Sequence, residues 1–441
     1  MGVLALYLRL LPAAFWDPIQ RQEPGRHYNR VYTLAVVMWL MIWQRLHNGT
    51  LETAVLELVR ALPASFWPRP CRRLQSGPET PGRNLSSHTG AYNKARQQLP
   101  VSLVEQCCDR VFQKLTAQAT GLLPAVGQQA FFLDGTSVRL PHSAALAKLY
   151  APGSNQHGES PWPLVAHDLY TGLAMRSQWG PMHGPQAVSE QGLLEQALDR
   201  LPSESVLVGD ANFGVFSVAY AATQRGHPVL LRLTAARAKR LAGEPLRNGI
   251  DRHLEWKPSR DDRRNHPALP AEAGVPGRLL VCQVQPSNGA APFLLALFTT
   301  LAAPSDQMVN LYGQRWNIET DLRSLKATLG LEQLTCNTAE MVAQEIDMAM
   351  MAYNLVRAVT YLAAQKTGLP PCAFSFTRVR NVLYAFAPLI SAATDERQAR
   401  KLWDDMMYYL DQAKLPKRRR QRPSYPRAVW GRPQVYPKRK A

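Results

Sequence analysis

The sequence predicts an α/β fold, with a core of mixed strands and helices that carries a β-rich insertion and is flanked by helical regions at both ends. Three observations predict it. Helical periodicity fills the chain up to about residue 120 and again beyond residue 336. Between them lie short apolar runs that end on acids or turn residues. A polar stretch rich in Arg and Pro, about Thr234 to Pro292, interrupts these runs and holds weak strand patterns such as RLLVCQVQ.

Within the N-terminal helical region, residues 1–120, Tyr32 to Leu62 is long and apolar with helical periodicity. A Pro/Gly/Ser-rich stretch, Pro63 to Ser87, precedes a helical pair around SSHTGAYNKARQQLP and SLVEQCCDRVFQKL. Lys94 and Arg96, just before Pro100, suit a helix-turn-helix element that contacts DNA, and a plain capped helix equally well. From Gln128 the pattern turns to strands. QQAFFLDGTSVRL runs into Asp-Gly, and PLVAHDLYTGLAMRSQWG reads as two strands joined at Tyr-Thr-Gly. An amphipathic helix over Ala187 to Leu201 follows, then the strand SVLVGDANFG, a helix over Val215 to Arg225 and the strand PVLLRL. Three strands, helix, strand, helix, strand is the order of a ribonuclease H-like core, placed over residues 125–335 with the insertion at 234–292. FLLALFTTL re-enters that core, and MVAQEIDMAMMAYNLVRAVTYLAAQ is a long buried helix that opens a C-terminal helical region at 336–412.

A formal net charge of +18 and a pI near 9.9 point to a polyanionic partner, nucleic acid or an anionic membrane. The most apolar run, Val31 to Trp43, has 13 residues and ends in Gln44 and Arg45. Spanning a bilayer takes about 20, so a buried helix is expected there. MGVLALYLRLLPAAFW lacks the pattern of a secretory signal. Of the 18 excess positive charges, 11 lie in the 28 residues from Lys414, which leaves +7 elsewhere. That basic tail, residues 413–441, is expected to be disordered and to bind phosphates without sequence preference, with stacking by Tyr425, Trp430 and Tyr436 as the alternative. Six cysteines without a C-x-x-C pair indicate free thiols and a reducing cytoplasm. His142, His157, His167 and His183 lack metal-ligand spacing.

The chemistry lies in LYGQRWNIETDLRSLKATLG. Read as one helix at roughly 100° per residue, Tyr312, Arg315, Glu319 and Lys326 fall within an arc of about 60°. Leu311, Ile318, Leu322, Leu325 and Leu329 form the adjoining apolar stripe. A carboxylate flanked by cations suits a bound metal beside a phosphate backbone. A solvated face with ordinary charge pairs is the alternative. Upstream, Asp134 follows FFL and Asp210 ends SVLVG. Strand-end acids can converge at one sheet edge, although such an Asp also serves to start a turn. Three carboxylates, Asp134, Asp210 and Glu319, favour Mg²⁺ or Mn²⁺.

The order Asp134, Asp210, then Tyr312, Arg315, Glu319 and Lys326 resembles the DDE transposases of the insertion-sequence-4 family, whose signature is Tyr, Arg, Glu and Lys at these intervals. The likeness covers roughly residues 90 to 400, with LDGTSVRLP and VLVGDANFG similar to the family's first two catalytic strands. It implies a ribonuclease H-like catalytic core with a β-strand insertion. It also implies Mg²⁺-dependent cleavage and strand transfer at inverted-repeat transposon ends, in a homodimer on double-stranded DNA in the bacterial cytoplasm. Two ions held by Asp134, Asp210 and Glu319 would activate a water and stabilise the leaving 3′ oxygen. Arg315 and Lys326 would hold phosphates and Tyr312 would donate to a phosphate oxygen. Some family members stack a flipped base on a Trp of the insertion. Trp256 in HLEWKPSR is the candidate here, and packing of the insertion is its other reading. A DNA-binding relative without catalysis would lack an acid, and none is missing. A nuclease of the same fold that cuts without joining stays open.

Overall fold

The computed structural model describes residues 3–22, 31–61, 86–119, 127–141, 143–150, 161–286, 291–332, 334–391 and 393–415. Most of the Pro/Gly/Ser-rich stretch and the basic tail from residue 416 lie outside these residues.

Six helices come first: α1 (Val3–Leu10), α2 (Ala13–Gln22), α3 (Leu34–His47), α4 (Leu51–Ala61), α5 (Gly90–Gln97) and α6 (Val101–Gln118). The apolar segment from Tyr32 is thus two helices. Asn48 ends α3 in the left-handed region (φ 49°) and its N–H closes on the Gln44 carbonyl, a conformation Asn tolerates better than most residues. The core follows with β1 (Ala130–Gly135), α7 (Ala144–Leu149), β2 (Pro161–Asp168), β3 (Gln178–Pro181), α8 (Glu190–Ala197), β4 (Val206–Gly209), α9 (Phe216–Gln224) and β5 (Val229–Arg232).

β1 pairs antiparallel with β2 and parallel with β4, and β4 pairs parallel with β5. This is the ribonuclease H-like arrangement. The hairpin turn between β2 and β3 rests on Asp168, whose carboxylate accepts from the Thr171 N–H (2.7 Å) and hydroxyl (2.6 Å), an Asx-type turn. Gly172 follows at φ +72°, and a Cβ there would lie 2.9 Å from Arg357 Nε.

The insertion holds α10 (Ala235–Ala242), β6 (Ile250–Trp256), α11 (Arg260–Asn265) and β7 (Val275–Val284), ahead of β8 (Phe293–Thr299). It does not stand apart as a separate β subdomain. The run FLLALFT has two hydrogen-bonding edges: β5 takes one and β7 the other. One eight-stranded sheet results, in the order β3-β2-β1-β4-β5-β8-β7-β6.

After β8 come α12 (Ser305–Gly313), α13 (Trp316–Arg323), a π turn (Ser324–Thr328), α14 (Ala339–Thr367), α15 (Phe376–Ser391) and α16 (Glu396–Asp411). Every residue of α14 from Met341 to Thr360 is buried, as a helix enclosed by other elements requires. Its buried polar groups tie distant parts together. Gln344 donates to the Leu99 carbonyl (2.6 Å), and Asn354 exchanges two 2.8 Å bonds with the backbone of Ala174. Glu345 accepts from Arg45 of α3 and from the N–H groups of Thr335 and Cys336. Arg357 is paired with Asp321 of α13 and donates to the Tyr353 hydroxyl (2.9 Å). No helix among the described residues is long and apolar enough to cross a membrane.

Candidate active site

The centre of the sheet builds the site. Ala130 to Leu133 of β1 and all of β4 are buried, and each run ends on a more accessible acid, Asp134 and Asp210. Phe132 pairs with Val208 across the parallel ladder. Two residues further along the chain from this pair are Asp134, still in β1, and Asp210, the first residue past β4, at the same end of strands about 4.8 Å apart. Burial, then the charges of Asp210 and Glu190, push the Asp134 carboxyl up to about 6, while Arg315 opposes the rise. Asp134, Asp210, Glu190 and Arg315 are therefore near neighbours.

The signature segment borders this pair. It is not the single helix its periodicity predicts. α12 ends at Gly313, Gln314 and Arg315 form a turn, α13 carries Glu319, and the π turn carries Lys326. Glycine is a weak helix former, and Ser324 bonds back to the Thr320 carbonyl (3.0 Å) at the start of the π turn. Wide turns of this kind are common at functional sites. α13 packs against β1, and Lys326 Nζ donates to Thr136 Oγ1 (3.1 Å), two residues past Asp134.

Arg315 Nη2 lies 3.4 Å from Glu319 Oε1. Tyr312 is buried, with its hydroxyl beside Arg232 and with Arg315 and Asp210 close by, and burial raises its pKa, so the phenol stays protonated. The structure thus brings Asp134, Asp210, Arg315, Lys326 and Tyr312 to one end of β1 and β4, with Glu319 turned onto Arg315. Among the described residues no three His, Cys, Asp or Glu side chains are close enough together to hold an ion. The donor chemistry fits a hard divalent cation all the same. The oxygens are carboxylate oxygens, and the negative charge crowded around Asp134 is what such a cation offsets.

Trp256 lies elsewhere. It is 4% exposed and meets Phe298 edge-on at 4.8 Å and Phe216 at 6.1 Å. Its ring packs the junction of β6 with the core and presents no free face to a base. Arg96 is also in the interior, beside the Tyr92 ring and 3.6 Å from Cys336 Sγ.

Glu190, Asn212, Thr136 and Arg232 belong to the site's surroundings and were not singled out by sequence. The signal for Asn212 was its place in GDANFG, two residues after the acid. Glu190 had only its position at the start of α8.

A ribonuclease H-like sheet with two acids at the ends of its central parallel strands, bordered by Arg315 and Lys326, defines a phosphodiester-processing enzyme of the DDE class. The chain matches the transposase DDE domain over residues 126–355 and belongs to the DDE transposases. It is 26% identical over 367 residues to transposase InsG for insertion sequence element IS4 of Escherichia coli K12, which covers 81% of this chain and 80% of that protein. The piggyBac transposase, solved by cryo-electron microscopy in a synaptic complex with hairpin DNA, is similar at a TM-score of 0.44 and 11% identity, over 93% of this chain and 85% of that one.

Proposed function

We propose that this transposase cleaves DNA at the inverted-repeat ends of its element and joins the freed 3′ ends to target DNA, as a homodimer on paired ends in the bacterial cytoplasm. The observation that carries this reading is the placement of Asp134 near the end of β1 and of Asp210 directly after β4, its parallel neighbour, with Arg315 and Lys326 alongside. Mg²⁺ or Mn²⁺, probed as a pair of ions, would be held by Asp134, Asp210 and Glu319 and would supply the charge that activates a water or a 3′-OH and steadies the leaving oxygen.

The remaining work falls to the chain's own side chains. Glu319 must leave Arg315 to face the two aspartates. That exchange frees the Arg315 guanidinium for a DNA phosphate, so the i,i+4 pair links phosphate binding to assembly of the acids. Lys326, anchored on Thr136, places a second cation beside the same backbone. Such contacts position the strand and carry no sequence information. Tyr312, kept protonated by burial, can donate a hydrogen bond but cannot act as a base near neutral pH.

Incubation with labelled inverted-repeat DNA and Mg²⁺, scored for 3′ nicks and for joined products, tests this. Both are expected from the wild-type protein. Glu319→Ala should abolish both while end binding persists. Normal nicking by that variant would remove Glu319 from the mechanism, and nicks without joined products would identify a nuclease.

A further inference from the structure

We infer that Glu190 is a positioning residue for the second strand-end acid, acting through Asn212 on the Asp210 carboxylate. The inference rests on the reading of Asp134 and Asp210 as ion-binding acids.

Asn212 sits on an exposed loop, yet its polar groups are all committed. Its backbone N–H donates to Asp210 Oδ1 at 2.8 Å. Its side-chain Nδ2 donates to Glu190 Oε2. Its own carbonyl and Oδ1 both accept from Gln191 Nε2, at 2.8 and 3.0 Å. Two consecutive residues of α8 therefore grip one residue of the loop after β4. The grip is itself anchored. Ser189 caps α8, accepting from the Gly192 N–H at 3.1 Å, and Glu190 occupies the first turn, where a negative charge is favoured.

The consequence for Asp210 is geometric. One of its oxygens is held by the Asn212 N–H, which fixes the direction in which the carboxylate presents its remaining lone pairs. A bond from an amide to a carboxylate is stronger than one to a neutral acceptor, so the Glu190 carboxylate holds Asn212 more firmly than a neutral side chain would. Its proximity to the site is independently visible in its effect on Asp134.

The test is a donor–acceptor exchange. Asn212→Asp keeps the backbone N–H to Asp210 and the acceptor for Gln191 but removes the donor that meets Glu190. Adding Glu190→Gln returns a donor from the other side at unchanged net charge relative to the wild type. Mn²⁺ affinity is measured on the full chain without DNA, by electron paramagnetic resonance, with thermal melting as the check on folding. Asn212→Asp and Glu190→Ala should each weaken Mn²⁺ binding by about 10-fold or more, as loss of an outer partner of a ligand does. The double exchange should recover most of the loss, the non-additivity expected of a contacting pair. A merely structural role would lower the melting temperature and leave Mn²⁺ affinity where it was. Wild-type affinity in Asn212→Asp, or no recovery in the double variant, would overturn the inference. Asp210→Asn separates the two levels. If it loses Mn²⁺ and Asn212→Asp does not, this inference alone falls. If Asp210→Asn binds Mn²⁺ normally, the ion site itself falls and takes the inference with it.

Discussion

Asp347 shows how strongly single residues are set by their surroundings. It is 1% exposed inside α14, and its Oδ1 has no hydrogen-bond partner. Burial pushes its carboxyl up to about 8 from an ordinary 3.8, against the pull of nearby Arg176 and Arg200. The folded chain thus holds this proton more tightly than the unfolded chain. Its contribution to stability is fully present below about pH 4 and is lost as pH rises through about 8. His167, lowered to about 3 by burial and by Arg357, acts in the opposite sense, and only below its ordinary 6.5. Melting temperatures of wild type and Asp347→Asn across pH 6.5 to 8.5 should therefore diverge, with the variant gaining on the wild type as pH rises. Parallel curves would contradict the buried-acid account. At this scale the sequence was informative where an acid ends an apolar run, as at Asp134 and Asp210. It was silent on Glu190, because an acid in a first helical turn is ordinary. It was ambiguous at Trp256, because a Trp in a polar, charged stretch looks the same whether its ring packs or waits for a base.

At the scale of elements, the loop from Asp210 to Gly214 fixes the second acid against the end of β5. The Gly214 N–H returns to the Asp210 carbonyl at 3.0 Å. A Cβ on Gly214 would lie 1.9 Å from the Arg232 carbonyl oxygen, so only glycine permits this approach. Gly214→Ala must push the loop away. A loss of about 1–3 kcal/mol in urea unfolding is expected, as for other overpacked sites, together with weakened Mn²⁺ binding. Unchanged values for both would show that the loop tolerates displacement. Strands β1 to β5 with α8 and α9 were readable in type and order from periodicity, including the hairpin and the alternation after it, whereas the short helices α7, α10 and α11 were missed. Three further features were not readable. The break at Asn48 depends on one left-handed residue inside an apolar run. The π turn depends on local hydrogen bonding that a 3.6-residue period does not encode. The union of the insertion with the main sheet depends on which edge of β8 is left open, a tertiary fact.

For the whole molecule, charge and topology divide the work. Most of the net charge of +18 lies in the tail, and the sheet with its acids lies among the described residues before it. Removing residues 416–441 is expected to flatten the dependence of DNA affinity on salt, since each phosphate contact contributes a slope of about −0.9, while Mn²⁺ affinity stays the same. An unchanged salt slope would place the phosphate contacts on the folded surface instead. The N-terminal helices share one core with α14 through Glu345 and Arg45 and through Gln344 and Leu99. Displacement of one region is therefore expected to be felt by the other. The central claim is that three acids distant in the chain close on divalent ions beside the scissile bond. Its most direct test is a structure of the protein with inverted-repeat DNA and Mn²⁺, read by anomalous scattering. The account predicts Mn²⁺ on Asp134 and Asp210, with Glu319 released from Arg315 onto the metal and Arg315 on a phosphate. Mn²⁺ absent from the two aspartates, or Glu319 still on Arg315 in a complex that has cut its DNA, would contradict it.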